Sequence, residues 1–364
     1  MQSKIVLGIE TSCDDTSIAL IQGSPQESAS LLAHHSFSQE EVLKKWGGVI
    51  PEIAARNHLD KILPLLDVCF EEAKIKIDDI DLIAVTTHPG LLGPLLTGLN
   101  AAKGLALLAK KPIYPVNHLY AHLEAIFLTE SEVSYPYLGL LVSGGHSLFL
   151  LVRAPDDFEI LGSTIDDAAG EAFDKGGKLM GLGYPAGKII DDLAKEGDAS
   201  TFEFPIGLRE STNAQLSFSG VKTALRHKIE KILATEPEFL SQKENLANLC
   251  ASYQKAIVDA LELKLRYAKK IAQQKLGLAP NASLPIVLGG GVACNSALRE
   301  KIKDRHHNVY IVAPKFCTDN GAMVANYGLR MFESAIAFPD CLYTDAKGRF
   351  IDKSQVQSLT KEKS

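Results

Sequence analysis

The chain opens with an apolar run from Ile5 to Ile9, a polar interruption from Glu10 to Thr16 and a second apolar run from Ser17 to Ile21. That pattern predicts two strands joined by a hairpin with a polar tip. Helical periodicity follows over Pro51 to Ala73. Leu82 to Thr86 then reads as a buried strand, His88 to Pro94 as a loop broken by Gly and Pro, Leu95 to Ala109 as a helix, and Ile113 to Val116 as a strand. Asn117 is a candidate N-cap for a short helix carrying HLYAHLEAIF. From Tyr137 the opening pattern returns, since LGLLVSGGHSLFLLV is again an apolar strand, a small polar turn and an apolar strand.

Two hairpins with polar tips, one near the start of each half, suggest two related lobes. Asp166 to Ser219 is rich in Gly and polar residues, and long helical patterns cover Gly220 to Leu233 and Glu238 to Lys275. The last strand-helix units are Pro285 to Leu288 with a helix from Ala293, and Val309 to Val312 with a helix from Asn320. Lys347 to Ser364 reads as a partly ordered tail.

Composition narrows the class. At 364 residues, 46% hydrophobic and 23% charged, the chain fits an ordinary globular protein of two domains. Its six cysteines form no CxxC pair, which fits a reducing compartment better than a disulfide framework or a zinc ribbon. No signal-peptide core precedes Ile5, and the apolar stretch from Leu91 to Ala109 is interrupted by Pro94, Thr97, Asn100 and Lys103, so the expectation is a cytoplasmic chain with no membrane span. A formal charge of -6 argues against unaided gripping of nucleic acid. Basic clusters at Lys222, Arg226, Lys228 and Lys231, and at Lys264, Arg266, Lys269 and Lys270, read first as solvated helix faces.

Five constellations carry candidate chemistry. His118 and His122 are four residues apart, which puts both imidazoles on one helix face, where they either share a divalent metal or coincide by chance. A zinc peptidase would need Glu directly after the first histidine, and Leu119 stands there, with Glu124 on the wrong side of the pair. GGGVACN, Gly289 to Asn295, lies between a strand and a helix, where free amides favour an anion; it also reads as a plain tight turn, and no Walker A lysine follows. VSGGHS, Val142 to Ser147, is a hairpin tip that offers hydroxyl and amide donors to a phosphate or an oxyanion, or simply a turn. ETSCDDT places Asp14 and Asp15 at a tip, as a base, a charge or a solvated turn. In CTDNGAM, Asp319 stands beside a helix start, with an N-cap as its plain role.

In order, IETSCDDT, NHLYAHLEA, LVSGGHS, DDAAGEAFDKGGKLMGLGYPAG, SFSGVKTA, GGGVACN and CTDNGAM resemble the motif series of the TsaD/Gcp family from Ile5 to about Met331. The resemblance implies an α/β, actin-like (ASKHA, ribonuclease H-like) two-lobed ATPase fold with mixed sheets and a nucleotide in its cleft. It places 1–116 and 320–345 in the first lobe, 117–319 in the second and 346–364 in a tail. For function it implies transfer of threonylcarbamoyl from threonylcarbamoyl-AMP to the exocyclic amine of the adenosine beside the anticodon, in tRNAs reading codons that begin with A.

By the same resemblance His118, His122 and Asp319 ligate one divalent metal, Fe(II) or else Zn(II). Leu141, Val142, Ser143, Gly144 and Gly145 hold the phosphate and acyl part of the adenylate, and Asp174, Gly187, Asp191 and Asn295 hold its nucleoside. The chain's own acidic tip suggests Asp14 as the group that orients or deprotonates the amine. The archaeal and eukaryotic branch has a Tyr ligand where this chain has Leu141, and many relatives have Asp-Glu where it has Asp14-Asp15. The implied partners are tRNA, a paralogous inactive actin-like subunit (TsaB-like) and a small P-loop ATPase (TsaE-like). A metal-dependent peptidase and a non-catalytic nucleotide-gated binding module are the alternatives.

Overall fold

The structure is a computed structural model that describes residues 3–27, 29–43, 49–130 and 132–348. The chain groups into two compact units, Met1–Ser131 with Asp319–Ser364, and Glu132–Thr318.

In the first unit β1 (Lys4–Glu10) and β2 (Asp15–Gly23) form the expected antiparallel hairpin, with Glu10 opposite Ser17 at its tip. Three more strands, β3 (Ser30–Ser38), β4 (Leu82–His88) and β5 (Ile113–Asn117), complete a sheet of order β3-β2-β1-β4-β5 in which β4 and β5 run parallel to β1. After the short α1 (Glu40–Leu43), two long helices, α2 (Pro51–Ala73) and α3 (Leu92–Ala109), cover one face of this sheet. They enclose Leu7, Ile9, Ile18, Leu20, Ile62, Leu66, Leu95 and Leu99. A C-terminal helix, α11 (Gly321–Arg330), packs on the opposite face. Alternate residues of β1 therefore meet different neighbours, and a Cβ on Gly8 would lie 2.1 Å from the Gly321 carbonyl oxygen. Only a glycine lets helix and strand approach so closely.

Three features depart from the sequence reading. β3 is an edge strand whose mixed polar pattern, with Ala33 its one fully buried position, gives no clean alternation. α3 begins at Leu92, because Pro94 falls in its first turn, where a missing N–H costs nothing. Continuous over 18 residues, α3 is by length and composition long and apolar enough to cross a membrane, contrary to the expectation from its polar interruptions. In this fold it is a core helix that buries Leu95, Leu99, Ala102 and Ala106.

The second unit repeats the arrangement. β6 (Tyr137–Val142), β7 (Ser147–Ala154), β8 (Asp157–Ser163), β9 (Ile286–Gly289) and β10 (Val309–Ile311) form a sheet of order β10-β9-β6-β7-β8. Its first three strands are antiparallel and its last two run parallel to β6, so order and direction match the first sheet. Helices α5 (Ala169–Leu179), α6 (Gly187–Ala194), α7 (Ser219–Leu233), α8 (Lys243–Lys275), α9 (Ser296–Arg305) and the short α10 (Pro314–Cys317) complete it. α5 and α6 lie inside the stretch that reads as Gly-rich and polar. Two of its glycines serve packing: a Cβ on Gly176 would meet the Tyr253 ring at 2.4 Å, and one on Gly177 would meet Ala186 at 2.1 Å.

The boundary also differs from the sequence expectation. The helix after β5, α4 (His118–Glu124), packs on α11, β4 and β5, so residues 117–131 group with the first unit, as does Asp319. The expected tail lies, from residue 349 onward, outside the described residues.

Candidate active site

Asn117 ends β5 and caps α4, its Oδ1 accepting from the Leu119 and Tyr120 amides. The cap sets the first turn, and the four-residue spacing brings His118 and His122 together with their Nε2 atoms 3.2 Å apart. Asp319 reaches them from the start of α11. Its Oδ1 stands 3.1 Å from His122 Nε2 and 3.5 Å from His118 Nε2. The N-cap of α11 is Asn320, whose Oδ1 accepts from the Met323 amide at 2.8 Å, so the plain capping role foreseen for Asp319 falls to its neighbour. Asp319 is thereby left to face the imidazoles.

Behind His118 lies a carboxylate without an assigned role in the sequence reading. Glu10, fully buried at the end of β1, places Oε2 3.1 Å from His118 Nδ1 and also accepts from Thr86 Oγ1 and the Ser12 amide. Ser12 Oγ lies 3.2 Å from the same Nδ1. A carboxylate there holds the Nδ1 proton and orients the ring so that Nε2 faces His122 and Asp319, where a metal would take the place of the second proton of the charged ring. The signal for Glu10 was present in the sequence, as an acid closing an apolar strand at the same tip as Asp14.

Electrostatics follow from burial against charge. Burial pulls the His118 imidazole down, but Asp319 and Glu10 outweigh it and push it up to about 9. Burial and the neighbouring His118 cation hold His122 below the usual imidazole range, so it stays neutral and able to donate a lone pair. Burial raises Glu10, and the charge and hydrogen bond of His118 more than offset this, leaving it lowered. The donor atoms of His118, His122 and Asp319 lie within 4.8 Å of one another and form a group fit to hold a metal ion. Two imidazoles and one carboxylate, with a second carboxylate behind one imidazole, suit a divalent transition metal in their chemistry.

Asp14 belongs to the same electrostatic neighbourhood. Burial, then the charge of Asp319, raises its carboxyl above the usual range. Asp15 is pushed up to about 8 by burial, Asp319 and Asp14, and its buried Oδ1 has no hydrogen-bond partner. Glu124, fully buried, points instead to Arg330, whose Nε donates to its Oε2 at 2.7 Å, so it is tied up as a structural ion pair.

The remaining candidates lie in the second unit. Leu141 and Val142 are buried at the end of β6, and the hairpin tip closes by the Ser143 amide donating to the His146 carbonyl at 2.8 Å. Gly144 and Gly145 are exposed, with open space where a side chain would be. The close approach of Gly290 and Gly170 holds this tip, since a Cβ on Gly290 would lie 2.4 Å from the Val142 carbonyl. Asp174 Oδ1 accepts from the Ala186 amide at 2.8 Å, just before Gly187 opens α6. Asp191 accepts from the Ser296 amide and hydroxyl, and Asn295 caps α9 while donating to Gln254. Asp191 and Asn295 thus converge on one helix start, where each also has a local structural role. Among the basic clusters, Lys222 pairs with Asp167, Arg266 pairs with Glu262, and Lys264 is buried against the Ser211 carbonyl.

A family model described as TsaD, tRNA N6-adenosine threonylcarbamoyltransferase, matches residues 30–326. A protein of that name from Anaeromyxobacter sp. (strain Fw109-5) is 45% identical over 333 residues, covering 90% of this chain and 94% of the relative. Among solved structures, full-length HypF in the phosphate- and nucleotide-bound form aligns with a TM-score of 0.53 at 14% identity, over 91% of this chain and 56% of that one. The activator of the 2-hydroxyisocaproyl-CoA dehydratase from Clostridium difficile, with bound ADPNP, aligns with a TM-score of 0.50 at 13% identity, over 91% of this chain and 96% of that one. At such identities these two speak for the actin-like fold alone. A family model spanning most of the chain, with a relative of nearly the same extent at that identity, means that the chain belongs to the TsaD family of tRNA N6-adenosine threonylcarbamoyltransferases.

Proposed function

We propose that this chain transfers threonylcarbamoyl from threonylcarbamoyl-AMP to the exocyclic amine of the adenosine beside the anticodon, in tRNAs reading codons that begin with A, and releases AMP. The observation that carries this reading is the meeting of His118, His122 and Asp319, with Glu10 hydrogen-bonded behind. The amine nitrogen attacks the acyl carbon of the mixed anhydride, the bond from that carbon to the phosphate oxygen breaks, and AMP leaves with that oxygen. Asp14, made more basic by burial and by Asp319, orients the amine and takes its proton. The Ser143–Gly145 tip receives the phosphate and acyl oxygens, and Leu141 and Val142 fix that tip. Asp174, Gly187, Asp191 and Asn295 hold the nucleoside.

The three ligand residues hold one divalent ion, Fe(II) or else Zn(II) as the family resemblance implies, a donor set of two histidines and a carboxylate suiting either. When bound, it supplies Lewis-acid stabilisation of developing negative charge. Exposed apolar residues on α2 and α3, Leu59 and Leu63 with Leu92 and Leu108, support docking of a paralogous actin-like subunit. A small P-loop ATPase completes the assembly, and the net charge of -6 leaves part of the tRNA grip to these partners in the cytoplasm.

Transfer of labelled threonine to tRNA, supplied as the adenylate with and without partners, tests the proposal. His118→Ala is expected to abolish transfer, and Asp14→Asn to slow the single-turnover step about 100-fold or more. Unchanged single-turnover transfer in Asp14→Asn removes its assigned role. Absence of any transfer by the metal-loaded chain with partners leaves the nucleotide-gated binding module as the better reading. The peptidase reading has no support at Glu124, which is bound to Arg330.

A further inference from the structure

Three consecutive carbonyls at the tip between β1 and β2 are each held by a different segment. The Ser12 carbonyl accepts from the Leu91 amide at 2.8 Å, and the Asp14 carbonyl accepts from the Gln39 amide at 3.2 Å. The Cys13 carbonyl accepts instead from a side chain, His58 Nε2 on α2, at 3.0 Å. The other ring nitrogen, Nδ1, lies 2.7 Å from Thr16 Oγ1. Because a carbonyl only accepts, the ring proton sits on Nε2, and Nδ1 accepts from the Thr16 hydroxyl. One imidazole thus bridges the residues on either side of Asp14 and Asp15. The buried stripe of α2 runs Ala54, His58, Ile62, Leu66 and Cys69, so a fully buried ring interrupts an otherwise apolar row. Burying a polar ring is costly unless it is hydrogen-bonded, and both nitrogens of this one bond to the tip. Burial also holds His58 below the usual imidazole range and keeps it neutral, the form that this pair of bonds needs. Beside it, the Gln39 side chain donates to the Ala54 carbonyl at 3.2 Å and accepts from Asn57 at 2.9 Å, which fixes the turn before α1 to the same stretch of α2.

We propose that His58 is a positioning residue for the transfer reaction, stapling the acidic tip so that the Asp14 carboxylate is held toward the incoming amine. It works through Asp14, and the inference rests on the role given to Asp14 above. Without the ring the Cys13 carbonyl loses its donor and Thr16 its acceptor, and the turn between them is free to relax. A small displacement of a base from the proton it takes slows the chemical step and leaves substrate binding in place.

The test measures single-turnover transfer by the metal-loaded chain with its partners, the adenylate and tRNA. His58→Leu, which fills the space without either bond, is expected to slow the step about 10- to 100-fold while steady-state KM values for adenylate and tRNA stay within about threefold. His58→Gln puts an amide N–H where Nε2 stood and is expected to restore most of the rate. His58→Asn is too short to reach the Cys13 carbonyl and is expected to match His58→Leu. In an Asp14→Asn background His58→Leu slows transfer no further, because the interaction it works through is already lost. The inference is overturned if His58→Leu transfers at the wild-type rate, if His58→Gln is as slow as His58→Leu, or if the slowing adds in full to that of Asp14→Asn. That last result leaves the role of Asp14 standing, whereas a wild-type rate in Asp14→Asn removes that role and this inference with it. Should circular dichroism show His58→Leu unfolded, the contrast between His58→Asn and His58→Gln decides the same question.

Discussion

A buried imidazole and a buried carboxylate share one proton at the end of β1, and this decides how His118 behaves. In the unfolded chain a histidine titrates near the usual 6.5, and in the folded chain His118 titrates near 9. The stabilisation from this protonation is therefore complete below about pH 6.5 and is lost as pH rises through about 9. A metal on Nε2 competes with the proton that the charged ring carries at that nitrogen, so zinc affinity, read by competition with a chelating dye, is expected to rise about tenfold per pH unit from pH 7 toward 9 and then level off. A flat profile would contradict this. Glu10→Gln keeps a hydrogen-bond acceptor but removes the charge behind the ring; it is expected to weaken metal affinity about 10- to 100-fold without unfolding the chain. The pairing of His118 with His122 was legible from spacing alone. Glu10 as the partner of His118 was not, because 108 residues separate them in sequence and only the sheet brings them into contact.

At the scale of elements, the site depends on how closely α11 approaches β1 and β4. Gly8 and Gly321 let the helix lie on the strands, and this seats Asp319 beside α4. Gly8→Ala forces a methyl into the Gly321 carbonyl, and urea unfolding is expected to show a loss of about 1–3 kcal/mol, with metal binding reduced alongside. Arg330, at the far end of α11, satisfies the fully buried Glu124 and rests 3.9 Å from the Phe127 ring centre. Arg330→Met removes the cation beside that buried carboxylate and is expected to cost about 3–5 kcal/mol in the same measurement. Most strands and long helices were legible because their apolar periodicity is strong. α5 and α6 were hidden by glycines that a single sequence presents as loop signals, and β3 by its position at a sheet edge.

At the scale of the whole chain, the two units carry the same strand order and directions, although their sequences share little beyond a hairpin with a polar tip. The proposed metal ligands belong wholly to the unit formed by Met1–Ser131 and Asp319–Ser364. Zinc at 100 times its dissociation constant should stabilise that unit by about 2.7 kcal/mol, seen as slowed amide exchange in β1, α4 and α11 before any change in β6 to β8. Uniform slowing across both units would argue against a site confined to the first.

Local pattern alone determined the α/β class, the two hairpins, the histidine pair and the motif order that marks the family, because each depends on residues near one another in sequence. Tertiary structure decided the rest. It gave the cap of α11 to Asn320 and left Asp319 for the imidazoles, put Glu10 behind His118, bound Glu124 to Arg330 and moved 117–131 into the first unit. Each of those outcomes is a contact between segments far apart along the chain, set by which faces of helix and sheet pack together, and no local periodicity encodes it.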